Sequence, residues 1–273
     1  MHRSLAILIL LLACDSRVTP LRPELNVFCV LRTDGSHPFV LVGRSVGFDS
    51  AHDRFDDWNG LADASVLVTR GRDSTRFRYV PETTGYYVAD SLVARAGDAY
   101  LLIVNSPDGD EARGKTTVPH GFAIESAGID TVAGTSNPSD SLAEVAMAWS
   151  PSDGAARYQS VATFLYARPG VDTASEWHGF ETDTLSGRIW ASLRKYQHGD
   201  TLPLCLVRLS ICALDPNYAD YLTMQRENGN CNTLMHIDGG VGVFGSISVA
   251  ETTIYPTQPV SLATLGRSVR PTR

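Results

Sequence analysis

The residues best suited to binding a ligand are concentrated in one polar segment, residues 49–59. They are Asp49, His52, Asp53, Asp56, Asp57, Trp58 and Asn59. Carboxylate oxygens suit Ca²⁺, but the segment lacks the alternating ligand spacing and central glycine of an EF-hand loop. An aromatic ring beside carboxylates and an amide also suits a sugar, which stacks on the ring and forms hydrogen bonds through its hydroxyl groups. We interpret the segment as a solvated loop between strands and a candidate ligand-binding loop, and we assign no metal to it.

The chain contains no recognisable catalytic motif. No serine lies in a Gly-x-Ser-x-Gly sequence between a predicted strand and a predicted helix, which is the setting that a nucleophilic serine needs, and no two histidines have the His-x-x-x-His spacing of a zinc site. A second group of carboxylates surrounds Trp177 and comprises Asp172, Glu176, Glu181 and Asp183. Two of them could act together as in a glycosidase, but sequence does not fix the separation that this chemistry requires. We therefore predict a non-enzymatic protein without a cofactor, with a glycan-acting hydrolase as the alternative.

A glycine-rich run lies near the C-terminal end and contains Gly239, Gly240, Gly242 and Gly245. Bare backbone amides in such a run can bind phosphate where they open a helix. This run instead leads into a β-like pattern and lacks the Gly-Lys-Ser/Thr of a phosphate-binding loop. We predict a structural role, in which the glycines allow close backbone approach or positive φ beside Phe244.

The N-terminal residues have the pattern of an export signal. Residues 5–13 form an apolar run that is too short to span a bilayer but suits the central region of a signal peptide. The sequence Leu11-Leu12-Ala13-Cys14 resembles the bacterial lipobox, in which the cysteine is lipidated before cleavage. We expect residues 1–13 to be a signal peptide, Cys14 to carry the lipid anchor, and residues 14–24 to form a tether.

The remaining four cysteines match no zinc-binding spacing. Export permits disulfides, and a bridge between Cys212 and Cys231 would close the segment that contains a predicted helix. Its loop entropy would contribute about 3 kcal/mol. Cys29 and Cys205 lie in apolar strands, where buried free thiols are an equally good interpretation.

Composition and charge limit the class of protein. The 273 residues carry a net charge of −7, which argues against a protein that binds the nucleic-acid backbone. Short alternating apolar runs predict an all-β chain of two β-sandwich domains. Seven runs with Asp/Gly turns between them suggest an immunoglobulin-like N-terminal domain. In the second domain, the order of Trp149, a Pro/Gly turn and Tyr158 resembles a fibronectin type III module.

The expected boundaries follow from changes in this pattern. The N-terminal sandwich is expected over residues 25–123, a linker rich in Gly, Ser, Thr and Asp over 124–142, and the C-terminal sandwich over 143–256. One short helix is expected at about 215–227, with Asp215 as its N-cap and Pro216 as its first residue. Residues 257–273 have the composition of a tail.

Several of these motifs together resemble the bacterial lipoprotein family called domain of unknown function 4249. Its members carry a Tyr-rich helix and then an Asn-Ile-x-Gly-Gly-x-Gly-x-Phe-Gly run, for which residues 236–245 are the counterpart. Here His236-Ile237-Asp238 stands where Asn-Ile is usual. The resemblance extends over most of residues 14–255, with weaker N-terminal echoes in Gly97-Asp98-Ala99-Tyr100-Leu101.

The resemblance implies a cellular location, but it implies no known activity. Related proteins are associated with nutrient uptake at the bacterial outer membrane, beside TonB-dependent transporters. We therefore expect a lipid-anchored envelope protein, held at the membrane through Cys14 and acting as an accessory to ligand binding or uptake. A TonB-dependent transporter is the expected partner, and nucleic acid is not.

The anchor can be tested by replacing Cys14 with serine, which cannot accept the lipid. We expect the wild-type chain to fractionate with membranes and Cys14→Ser to move to the soluble envelope fraction, since stable attachment requires more than one acyl chain. Immunoblotting of both fractions measures this change. Membrane fractionation of the variant equal to that of the wild type would contradict the anchor.

Overall fold

A computed structural model describes residues 23–45, 59–133, 141–168, 171–197, 200–226 and 236–256. Within these ranges the chain forms sixteen strands and one helix, which confirms the all-β class and the single short helix. No helix in the described ranges is long and apolar enough to cross a membrane. The strands form one thirteen-stranded sheet and a separate three-stranded sheet, and the buried residues include one large core cluster in the N-terminal half and another in the C-terminal half.

The N-terminal half of the chain supplies the first seven strands. They are β1 Leu25–Arg32, β2 Phe39–Arg44, β3 Ser65–Arg70, β4 Asp73–Tyr79, β5 Tyr86–Val88, β6 Ala99–Asn105 and β7 Glu111–Thr117. The C-terminal half supplies the remaining elements. They are β8 Ile124–Ala133, β9 Ser141–Trp149, β10 Arg157–Arg168, β11 Val171–Thr182, β12 Ser186–Ser192, β13 Arg194–Gln197, β14 Asp200–Leu214, α1 Pro216–Arg226, β15 Ile237–Asp238 and β16 Gly240–Ile254.

Strict alternation of burial explains why these segments are strands. In β1, Leu25, Val27, Cys29 and Leu31 are fully buried, whereas the residues between them are half-buried. Successive side chains of a strand point to opposite faces, so one face of β1 lines the core and the other faces outward. The same pattern recurs in β6 and β7, which close the opposite side of this core.

One long sheet runs through both sandwiches in the order β11-β10-β14-β16-β1-β2-β5-β4-β3-β6-β7-β15. The sheet folds over at β4, whose first residues pair with β3 and whose Arg78 and Tyr79 pair with β5. Strands on both sides of β4 in this order contribute buried residues to one core. In the C-terminal sandwich, a separate sheet of β12-β9-β8 covers the inner face of β10 and β14.

Strand β16 belongs to both sandwiches. Its first half pairs in parallel with β1, from Leu25 with Gly240 to Arg32 with Ile247. Its second half pairs antiparallel with β14, beginning where Ile247 meets Leu214. Phe244, on the first half, is completely buried in the N-terminal core. β15 and the first half of β16 therefore pack with the strands of residues 25–123, the range expected for the N-terminal sandwich, although they lie outside that range.

Residues 124–133, which lie within the expected linker at residues 124–142, form β8 and pair with β9. β8 is an edge strand whose polar residues face solvent, and it pairs irregularly between Ile124 and Ser126. Ile124 and Ile129 pack on the core, but the exposed Ser126, Gly128 and Asp130 give the segment the composition of a loop.

The four glycines of the C-terminal run fit against neighbouring chain segments. A Cβ atom would lie within 3.0 Å of Glu111 at Gly239, of Leu25 at Gly240, of Val27 at Gly242 and of Tyr218 at Gly245. Gly239 and Gly242 also have φ values of 77° and 116°, which other residues rarely adopt. The run therefore allows β16 to enter between β1, β7 and α1.

Two glycines with nearly the same φ allow a matched test of this close approach. Gly35 has φ 80° with nothing within 4 Å of a Cβ, whereas Gly239 has φ 77° and faces the carbonyl oxygen of Glu111. We expect Gly35→Ala to lower the free energy of unfolding by about 1 kcal/mol, the cost of a left-handed alanine. We expect Gly239→Ala to lower it by roughly 3 kcal/mol or more, because backbone must also move. Urea unfolding measures both, and equal losses would contradict the packing role.

Candidate ligand-binding surface

A buried carboxylate holds α1 on the shared sheet. Asp215 caps the helix, because its Oδ1 accepts hydrogen bonds from the backbone N–H of Tyr218 at 2.9 Å and of Ser246 at 3.0 Å. Its Oδ2 accepts the hydroxyl of Thr116 at 2.5 Å, and that hydroxyl lies 2.6 Å from Ser246 Oγ. The helix, β7 and β16 therefore meet at Asp215.

The environment of Asp215 sets its protonation. Burial raises the pKa of the carboxyl above its usual value, although the hydrogen bonds from Thr116, Ser246 and Tyr218 act in the opposite direction. Water stabilises the charge of an exposed aspartate, but Asp215 is almost fully buried, so ionisation costs free energy there. Its position is thus structural, and its charge opposes folding.

Helix α1 covers the middle of the outer face of the shared sheet. Its Tyr218, Ala219 and Leu222 pack on Cys212, Ile247 and other residues of β14 and β16. At its last residue, the side chain of Arg226 forms an ion pair with Glu181 of β11. On either side of α1, the outer face carries exposed or half-buried side chains, on β11 and β10 in one direction and on β2 and β5 in the other.

One uncovered area, here called the Trp177 face, is a row of cross-strand neighbours. Trp177 of β11 pairs with Thr163 of β10, Thr163 with Arg208 of β14, and Arg208 with Thr253 of β16. Cross-strand partners point to the same side of a sheet, and strands lie about 4.8 Å apart. The backbone positions of Trp177 and Arg208 are therefore about 10 Å apart on one surface.

The side chains of the Trp177 face are available to solvent. Trp177 is 72% exposed, Arg208 and Thr253 are exposed, and Thr163 is half-buried between them. Arg208 forms no ion pair with any residue that the structure describes. This face therefore combines a planar ring, hydroxyl groups and an unneutralised guanidinium.

The second uncovered area, here called the aromatic strip, crosses β1, β2 and β5. Its rings follow one another from Tyr221 to Phe28 at 5.6 Å, from Phe28 to Phe39 at 6.3 Å, and from Phe39 to Tyr86 at 5.3 Å between centroids. All four side chains are half-buried. The strip is apolar and carries none of the charge of the Trp177 face.

The carboxylates around Trp177 do not form the pair that a glycosidase needs. Glu176 and Glu181 are five residues apart in β11, so they point to opposite faces and lie about 16 Å apart along the strand. Paired catalytic carboxylates are separated by about 5–10 Å across one cleft. Asp183 is exposed beyond the end of β11, and the side chain of Asp172 lies outside the described part of the chain.

Glu176 instead takes part in an inward-facing cluster. The Tyr166 hydroxyl donates to Glu176 Oε1 at 2.6 Å, and His178 Nε2 lies 3.5 Å from the same oxygen. Burial raises the pKa of the Tyr166 hydroxyl, and the neighbouring carboxylate raises it further. Tyr166 therefore stays protonated as a hydrogen-bond donor, which fixes β10 to β11.

Most residues of the predicted ligand loop lie outside the described residues, as does Cys14. This applies to Asp49, His52, Asp53, Asp56, Asp57 and Trp58. Asn59 is described and exposed, and its carbonyl oxygen accepts a hydrogen bond from the backbone N–H of Arg44 at 2.9 Å. The loop stays a prediction.

The predicted Cys212–Cys231 bridge is also untested. Cys212 is buried beneath α1, and Cys231, its predicted partner, lies outside the described residues. Cys29 is a buried free thiol, whereas Cys205 is exposed. Sequence reasoning missed Arg208, although a signal existed, since it is an isolated cation between apolar neighbours in a long β-like run.

Comparison with known proteins adds no relative. No protein-family model matches the chain, and a search of curated proteins finds no match. The resemblance to the domain of unknown function 4249 therefore rests on the motifs of the sequence.

The buried carboxylate makes a prediction about stability and pH. Asp215→Ala removes a helix cap and leaves buried donors without partners, so we expect the free energy of unfolding to fall by about 2–4 kcal/mol. Because folding raises the pKa of Asp215, the wild-type free energy of unfolding should also decrease as pH rises from about 4 through the raised value. Asp215→Asn keeps the acceptor oxygen but cannot ionise, so it should lose this part of the slope.

Urea unfolding of these variants between pH 4 and pH 8 measures both effects. The control is Asp183→Ala, an exposed aspartate for which we expect a change within about 0.5 kcal/mol. Asp215→Ala with wild-type stability, or Asp215→Asn with the wild-type pH dependence, would contradict the assignment.

Proposed function

We propose that this chain is a lipid-anchored protein of the bacterial envelope that binds a ligand on its sheet surface, without catalysis, as an accessory to nutrient uptake at the outer membrane. The observation that carries the binding role is the Trp177 face. A 72% exposed indole in one row with hydroxyl groups and an unpaired arginine is suited to recognition. The row offers no nucleophile with an adjacent base.

The envelope location rests on the sequence. The lipobox-like residues before Cys14 and the family resemblance both support export and anchoring. An all-β body that begins shortly after the tether is compatible with this arrangement. We also propose that the N-terminal sandwich is immunoglobulin-like and the C-terminal one fibronectin type III-like, which the core packing of Trp149 against Tyr158 supports.

The proposed partner is a TonB-dependent transporter in the same membrane. Confinement of both proteins to one surface raises their effective concentration, so a modest interface suffices. The aromatic strip is the surface that we assign to this contact, because its half-buried rings are apolar and lie away from the charged Trp177 face. Apolar surface with aromatic residues is typical of the core of an interface.

The competing hypothesis, a glycan-acting hydrolase, gains no support from β11. Its two glutamates point to opposite faces, and Glu181 is neutralised by Arg226. A hydrolase would therefore need to take its acid and base from another part of the chain.

Photo-crosslinking in intact cells tests the proposed partner. A photoreactive amino acid replaces Tyr86 in the aromatic strip or, as a control, Arg188, which is exposed on the opposite sheet. We expect the Tyr86 position to capture a β-barrel transporter, identified by mass spectrometry, and the Arg188 position to capture much less. Absence of a β-barrel receptor, under conditions that capture known envelope complexes, would contradict the partner.

A further inference from the structure

We propose that the Trp177 face binds an acidic oligosaccharide. One sugar ring stacks on the indole of Trp177, and a carboxylate of the oligosaccharide pairs with Arg208. This inference rests on the proposed binding function and names its ligand class. It concerns described residues only, and it is independent of the segment 49–59.

The indole ring accounts for the sugar. Single exposed apolar residues are common on protein surfaces and need no explanation by themselves. Trp177 differs because it lies in one row with Thr163 and Thr253, whose hydroxyl groups can donate and accept hydrogen bonds. A sugar ring presents both an apolar face and hydroxyl groups, so it matches a planar aromatic side chain next to such groups.

The guanidinium of Arg208 accounts for the acidic character. Two arginines next to α1 are already neutralised, Arg226 by Glu181 and Arg32 by Asp34. Arg208 stands among the described residues without such a partner. A guanidinium donates two parallel hydrogen bonds to a carboxylate, a geometry that a neutral hydroxyl cannot match.

The spacing of residues on the Trp177 face favours an oligosaccharide over a single sugar. The backbone positions of Trp177 and Arg208 are about 10 Å apart, a spacing that suits a ligand longer than one sugar. Strand β11 is the last strand of the shared sheet on this side, so the Trp177 end of the row is open. A polysaccharide can therefore continue past the edge of the sheet.

A second exposed tryptophan provides a matched control. Trp190 is 48% exposed, but it lies on the sheet formed by β12, β9 and β8, and its Nε1 donates to Glu144 Oε2 at 2.8 Å. It therefore shares ring chemistry with Trp177 but neither its face nor a free arginine. Arg72, exposed at a turn of the N-terminal sandwich, is the corresponding control for Arg208.

Isothermal titration calorimetry on the purified mature chain tests the inference. The acidic probes are trigalacturonate, triguluronate and a hyaluronan tetrasaccharide, and the neutral probe is cellotriose. We expect at least one acidic probe to bind, and Trp177→Ala and Arg208→Gln each to weaken that binding about tenfold or more. Trp190→Ala and Arg72→Gln should leave the affinity unchanged, and cellotriose should bind at the level of the Arg208→Gln variant.

Three results would overturn the inference. The first is no binding of any acidic probe at millimolar concentration. The second is equal affinity for cellotriose and the acidic probes, which removes the role of Arg208. The third is equal weakening by Trp177→Ala and Trp190→Ala. Crosslinking from Tyr86 to the transporter is a separate measurement. If that crosslink forms while the acidic probes do not bind, the inferred ligand class is wrong and the proposed partner is not affected.

Discussion

The pairing of β16 with two different strands is the constraint on which the rest of the structure depends. Ile247 pairs with both Arg32 and Leu214, so the strand leaves one sandwich and enters the other without a turn. Its glycines permit the close approach of β1 and β7, and Ser246 supplies a donor to the buried carboxylate of Asp215. The pairing of the sheet, the position of α1 and the outer surface around it therefore all depend on β16.

This arrangement also determines where binding surfaces can exist. Because α1 lies over the middle strands of the shared sheet, it separates a charged area from an apolar one. The two areas face the same side of the molecule, and they differ in chemistry.

The sequence predicted features that arise from local patterns. Alternating burial in β1 and the Asp215-Pro216 cap are both local, and both are present. The parallel pairing of Leu25 with Gly240 has no local signal, because it depends on register between distant segments. The Trp177 face also lacks a local signal, because Trp177 and Arg208 lie in one row only through the register of β10 with both of its neighbours. Loop-like composition hid β8, since an edge strand can be polar on its solvent side.

The parallel pairing of β1 with β16 has a consequence for the order of folding. β1 is among the first strands to be synthesised, yet one of its two edges stays without a partner until residues 240–247 arrive. An unpaired edge is a template for association with other chains, and contacts between distant segments form slowly. The N-terminal core therefore cannot close before residues 240–247 are available, and until then β1 keeps one edge that can associate with other chains.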